Sequence, residues 1–407
     1  MNLVPIFASL RRNPLGPVLI VSQVALTLAI LLNVAGIVRQ HVERMRSPSG
    51  LDEANVFSLA NLWIGQPSAA PALVARDLAV LRATPGVVAA VSTNGVPLSG
   101  RGGWGTPIDT KPVDLSRQGI LTEVELYYLD EQGADALGLR IVQGRWFTAD
   151  EVAGAGQVGA PGLVVLTRAL ADHLFPRGDA LGQVVYMGAR ADTIIGIVEN
   201  LQIASPGNPS VALENTQFSA IMGSRLAMNA VNNYVVRTKP GAQQSAMKEA
   251  ERRLRQANAQ RVITQLLPFK ETRHNSYRAN RALTAILVAV NLLLVAVTAL
   301  GIAGLASYWV AQRQRMIGVR RALGAKRLDI LSYFHIENLL IVGIGTLLGI
   351  GLAFALNTLL AKSGVPRIEQ VYLWGGMTAV LVIGQLAVLS PALRAARVSP
   401  ALATRSG

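Results

Sequence analysis

Histidine is the side chain best suited to bind a metal or move a proton near neutral pH. This 407-residue sequence has four, His41, His173, His274 and His335. None has a second histidine at the spacing that places two ligands on one helix face or hairpin, so no metal site is expected. Cysteine is absent, which removes thiolate nucleophiles, zinc-thiolate centres, disulfides and a lipoprotein anchor. There is no GxxxxGK[ST] phosphate cradle, no HExxH and no GxSxG. One dinucleotide-like pattern occurs, Gly100-Arg101-Gly102-Gly103-Trp104-Gly105, but such a pattern holds a pyrophosphate only where it opens a helix. Pro107 and Pro112 follow too closely for that, so it reads as a glycine-rich loop. Carboxylates in the central part of the chain are interspersed with Lys and Arg, the pattern of a solvated surface rather than an acid–base pair. The expectation is a protein with no catalytic residues and no cofactor of its own.

What remains is concentrated charge. Arg313, Arg315, Arg320, Arg321, Lys326 and Arg327 surround an Ile317-Gly318 and Ala322-Leu323-Gly324-Ala325 framework. Glu337 follows, near the start of an apolar run. An ionisable group there is costly, and either serves function or pairs with an arginine of the preceding segment. The net charge of +14 invites a nucleic-acid reading, but its distribution argues otherwise. Residues 40–281 hold 24 Lys and Arg against 21 Asp and Glu, whereas the remaining 165 residues hold 14 against 3. The excess therefore flanks apolar segments, as the retention of Lys and Arg on the cytoplasmic side of membrane helices requires.

Four stretches are long and apolar enough to cross a bilayer of roughly 30 Å. Membrane helices are expected at 13–38, 282–312, 330–361 and 371–393, with residues 1–12 forming a cytoplasmic amphipathic helix. The short-loop rule puts Arg11 and Arg12, the 313–329 segment and the 394–407 tail in the cytoplasm. Residues 39–281 and the 362–370 loop then lie outside. Arg39, Arg44 and Arg46 sit awkwardly on the outer side, though long translocated domains count little in this rule. The first span lacks a small-x-small cleavage site before a polar start, so it reads as an anchor rather than a signal peptide. Gly345 and Gly349 form a GxxxG pair on the third span, and Ala299, Ala303 and Ser307 a small-residue stripe on the second. Either serves helix packing within the chain or a dimer seam.

The outer region contains two βαβ patterns. One comprises strand 56–62, helix 70–83 and strand 87–93; the other, strand 233–238, helix 242–258 and strand 261–267. Their places in the sequence, about 50–100 and 226–270, next to the flanking spans, suggest one membrane-proximal α+β part. Residues 101–225 are then an insertion with short β runs at 163–166, 183–187 and 193–198. The fold class expected is a bundle of four transmembrane helices carrying a large α+β extracytoplasmic domain with a β-rich insertion.

The 313–325 segment, Arg-Gln-Arg-Met-Ile-Gly-Val-Arg-Arg-Ala-Leu-Gly-Ala, resembles the cytoplasmic motif of the MacB/FtsX-like ABC permeases. Leu328-Asp329-Ile330-Leu331, Phe334-His335-Ile336-Glu337 and the 391–400 tail are also similar to that family. Residues 137–148, 173–182 and 194–198 resemble the MacB-type periplasmic core. The resemblance implies the permease subunit of an ABC transporter in a bacterial inner membrane, with both termini cytoplasmic. It implies a separate ATPase subunit that binds the ATP and Mg, a second permease protomer in a homo- or heterodimer, and a periplasmic adaptor where the role is efflux. Segment 313–327 would be the ATPase-coupling loop. It would transmit ATP-driven closure to the outer domain for export of a peptide, antibiotic, lipid or lipoprotein. An alternative within the resemblance is a regulatory transducer acting on a cell-wall hydrolase or sensing peptides; a scaffold without any ATPase is a third reading. One departure stands out: relatives carry an acidic residue before Ile-Gly, and this chain has Met316.

Overall fold

A computed structural model describes residues 14–64, 69–100, 103–112, 122–154, 162–208, 211–228, 231–361 and 367–397. The expected amphipathic helix at 1–12 and most of the 394–407 tail lie outside these residues. In chain order the elements are α1 (Leu15–Arg46), β1 (Val56–Trp63), α2 (Ala70–Arg82), β2 (Val87–Thr93), β3 (Trp104–Asp109) and β4 (Thr122–Leu129). Then come α3 (Gly133–Leu137), β5 (Ile141–Gly144), β6 (Leu163–Thr167), α4 (Arg168–Leu174), β7 (Val184–Met187), β8 (Arg190–Val198) and β9 (Ser219–Gly223). The last are β10 (Asn232–Thr238), α5 (Gln243–Ala257), β11 (Arg261–Pro268), α6 (Phe269–Ser276), α7 (Arg278–Gln312), α8 (Gln314–Ala322), α9 (Arg327–Ala361) and α10 (Gln370–Ala396). The chain divides into two compact units, Met1–Val42 with Arg281–Gly407, and Glu43–Asn280.

In the first unit, α1, α7, α9 and α10 are each long and apolar enough to cross a membrane. α1 is the central helix: Ile20, Val24, Leu28 and Leu32 are buried against Ile302, Ile341, Val342 and Val380. Close approach is bought with glycine. A Cβ at Gly345 would lie 2.9 Å from Val24, and one at Gly349 3.0 Å from the Ala25 carbonyl oxygen, so both face α1 of the same chain. Ala299 and Ala303 are half-buried and Ser307 is exposed on α7, with the Ser307 hydroxyl donating back to the Ala303 carbonyl at 2.7 Å. α7 is the peripheral helix, 11% buried over its apolar window against 44% for α1.

The second unit is built on two sheets. The two βαβ patterns interleave into one antiparallel sheet, β11-β1-β10-β2, in which Val56 faces Arg237 and Val87 faces Thr238. Period-two alternation sends Phe57, Leu59, Tyr234 and Val236 to the face covered by α2 and α5. The insertion forms a seven-stranded mixed sheet, β5-β8-β6-β9-β4-β3-β7. One of its faces, with Tyr127, Leu129, Val165 and Ile221, packs on Val56, Ala89, Val91 and Val235 of the first sheet. The other, with Val124, Leu126, Val164 and Leu166, packs on Leu170 and Ala171 of α4. Trp104–Asp109, expected as a loop, form β3, where Pro107 opposes Glu123. The central carboxylates are not all solvated. Asp77 and Arg261 form a fully buried ion pair at 2.8 Å, joined by the Tyr234 hydroxyl at 3.1 Å. Charge alternation along the chain conceals this, because the partners come from different elements.

Candidate functional site

The Arg-rich segment is a helix rather than a loop. Arg313 occupies the N-cap of α8, and the helix ends in a left-handed cap at Gly324, whose φ is +98°. The Ala325 amide donates to the Arg320 carbonyl and the Gly324 amide to the Arg321 carbonyl, both at 3.1 Å, which is a Schellman closure. α9 starts directly afterwards, where Asp329 accepts the Lys326 amide at 2.9 Å.

The structure divides the expected coupling residues by face. Ile317 is buried with Ile330, Phe334, Ala392 and Ala395, and Gly318 is buried beside it. Arg313 turns inward, and one guanidinium nitrogen donates to both oxygens of Glu337 at 2.9 Å. Glu337 is 2% exposed, so this pair fastens α8 to α9. Arg320 lies over the Tyr333 ring, 5.1 Å from its centroid. Arg321 is half-buried and Ala325 half-buried, while Ala322 is exposed. Arg315 belongs to the same helix.

The outward face of α8 joins Leu323, already in the expected framework, to Met316 and to Val319, which the sequence did not mark. Met316, Val319 and Leu323 are 41%, 49% and 82% exposed, at spacings that stack them along one side. Leu328 at the start of α9 is 70% exposed. The helix therefore presents an apolar ridge with basic flanks, held from behind by Ile317 and the Arg313–Glu337 pair. Such a ridge suits a protein groove. The missing signal was the helical period itself, hidden beneath the attention the arginines drew.

Within the spans, polar groups pair with each other. Asn357 donates to Asn33, and Asn33 to the Ala353 carbonyl, each at 3.2 Å; the Thr27 and Thr298 hydroxyls meet at 2.8 Å; Asn338 donates to the Gly384 carbonyl at 2.9 Å. His335 lies 2.8 Å from Gln385. No group of three potential metal ligands occurs among the described residues.

At the root of the outer unit the awkward arginines find employment. Arg44 is 2% exposed and donates to the carbonyls of Pro206, Asn208 and Val211 at 2.6–3.0 Å. Arg273 on α6 donates to Glu53 at 2.5 Å and to the carbonyls of Met45 and Ser47 at 2.8 and 2.7 Å. Gln217 donates to the Pro48 carbonyl at 2.7 Å. The last turn of α1 and the residues after it are thus bonded to residues 206–217 and to α6, the helix that precedes α7. In the first unit, Arg39 forms an ion pair with Glu369 and stacks on Tyr372.

The family model of the MacB-like periplasmic core domain matches residues 20–254, and that of the FtsX-like permease C-terminal region matches residues 288–400. The Macrolide export ATP-binding/permease protein MacB of Bordetella avium is 28% identical over 303 residues, 72% of this chain and 45% of that protein. The ABC transporter permease YknZ of Bacillus subtilis is 27% identical over 271 residues, 66% of each chain. The chain spans less than half the length of the MacB relatives it matches. The periplasmic region of MacB from Actinobacillus actinomycetemcomitans superposes with a TM-score of 0.35 at 16% identity, covering 56% of this chain and 94% of that one.

Proposed function

The chain belongs to the MacB/FtsX-like ABC transporter permease family, and on that premise we propose that it couples ATP hydrolysis by a separate cytoplasmic ATPase to movement of its outer domain. Both termini and α8 lie in the cytoplasm, residues 43–280 in the periplasm, and a second permease protomer completes the transporter. The observation that carries this reading is α8. It offers an exposed apolar ridge, Met316, Val319 and Leu323, on a helix fixed rigidly to the membrane bundle by Ile317 and the Arg313–Glu337 pair. A ridge mounted this way can pass a push to the spans, because its anchor is packed rather than solvated. Met316, at a position where the resemblance implies an acidic residue, supplies apolar surface and extends the ridge. The transported molecule is a peptide, antibiotic, lipid or lipoprotein.

The test is capture of the ATPase subunit from the native host, comparing the wild type with Val319→Asp/Leu323→Asp. Loss of capture, with the melting temperature unchanged, is the expected result. Full capture by that variant, and by Arg320→Glu/Arg321→Glu, would overturn the assignment of α8. No bound ATPase at all would return the chain to the scaffold reading.

A further inference from the structure

The antiparallel sheet of the outer unit uses its second face in two ways. Val56, Ala89, Val91 and Val235 are sealed against the seven-stranded sheet. Further along the same face, Ser58, Ala60, Asn233 and Gln265 border a cavity of about 350 Å³ instead. Its other walls come from the segment after β2, with Asn94, Val96 and Ser99, and from the approach to β10, with Met228 and Val231.

Three features make this a built site. The walls are fixed: the Asn94 side chain donates to the Leu126 carbonyl at 2.7 Å and accepts the Tyr128 amide at 3.0 Å, and Asn233 donates to the Asn94 carbonyl at 3.2 Å. The Ser58 hydroxyl, 3% exposed, lines the cavity and has no hydrogen-bond partner among the described residues. A buried hydroxyl left so is disfavoured unless something supplies a partner. Finally, none of the lining side chains is ionisable.

We propose that this cavity binds an uncharged amphipathic small molecule. Its apolar body rests on Ala60, Val96, Met228 and Val231, and a carbonyl or hydroxyl group meets Ser58. The volume falls within the range of small-ligand pockets, about 300–1,000 Å³. A charged ligand would shed hydration here without meeting a counter-ion, so the site selects against it. The assignment rests on the outer unit alone and stands whether or not α8 docks an ATPase.

The cysteine-free chain permits a direct test. Full-length Ser58→Cys, purified in detergent, is treated with the benzyl, sulfonatoethyl and trimethylammonioethyl methanethiosulfonates, which are neutral, anionic and cationic. Each forms a mixed disulfide and releases methanesulfinate. Rates are referred to those of Ser245→Cys, a position exposed on α5. The neutral reagent is expected to react with saturation kinetics and about tenfold or more faster than either charged one. Ala60→Leu, which fills the cavity, is expected to lower that rate by about tenfold. Gln265→Cys, on the half-buried wall, provides the same readout should Ser58→Cys fail to fold. Labelling that is absent at both positions, indifferent to charge, or unchanged by Ala60→Leu would overturn the proposal. ATPase capture is read separately, so failure of one assignment is not mistaken for failure of the other.

Discussion

Glu125 on β4 carries an Oε1 that is buried and has no partner among the described residues, beneath Gly103. Burial pushes its carboxyl up to about 7, offset in part by a hydrogen bond from the Ala204 backbone. An acid whose pKa is raised on folding binds its proton more tightly in the native state. Stability is therefore lost as pH rises from the ordinary carboxylate range through about 7. Burial raises Asp77, Asp130 and Asp192 in the same direction. Glu125→Gln should thus raise the melting temperature at pH 8, have little effect at pH 4, and flatten the profile between; an unchanged slope would remove Glu125 from the account. Glu337 matters for packing, since its buried carboxylate meets the Arg313 guanidinium at 2.9 Å. Removing the carboxylate by Glu337→Ala takes the counter-ion from the largely buried Arg313 guanidinium and should cost about 3–5 kcal/mol. The double variant Glu337→Leu/Arg313→Met should recover most of that, as thermal unfolding in detergent would reveal.

At the scale of elements, the end of α8 is set by backbone conformation. Gly324 sits at a φ of +98°, where a branched side chain is strained. Gly324→Val is expected to fray the last turn, misplace Leu323, and weaken ATPase capture by about tenfold while the outer unit melts normally, since the cap costs only about 1–2 kcal/mol. Gly349→Leu should act elsewhere, forcing α9 from α1 and lowering the yield of folded protein. The four spans and both βαβ patterns were legible, because length and periodicity survive in a single sequence. β3 was not: Gly105 and Pro107 erase its strand signal, and its partner β4 supplies the pairing. β5, Ile-Val-Gln-Gly, and β9, Ser-Ala-Ile-Met-Gly, each end in glycine and lack the unbroken branched run that marked β6. α8 was named by its residues but read as a loop, since arginines flanking a membrane already have an explanation in charge bias.

For the whole molecule, the bonds at the root of the outer unit matter most. Arg44, in the last turn of α1, binds the carbonyls of the 206–211 segment, and Arg273 on α6 binds those of Met45 and Ser47, so the two ends of the outer unit are tied to each other and to its interior. Arg273→Met is expected to leave basal ATPase turnover of the assembled transporter intact and abolish its stimulation by cargo; equal loss of both would indicate misfolding instead. Arg44 stood out only as a charge on the disfavoured side of the first span, and Arg273 not at all, since most of their partners are backbone carbonyls, which no side-chain pattern announces. The outer cavity was equally hidden, because its walls come from four separate stretches of chain. Arg39 has a further consequence, this one for biogenesis. Its counter-ion Glu369 is 330 positions later in the chain. At a synthesis rate of roughly 5–20 residues per second, the first span waits on the order of tens of seconds for that partner. On the topology proposed above, the end of the span that carries Arg39 bears during this interval a positive charge on the side the charge rule disfavours. The insertion machinery, or lipid phosphate, would then have to hold the orientation until translation supplies the neutralising carboxylate.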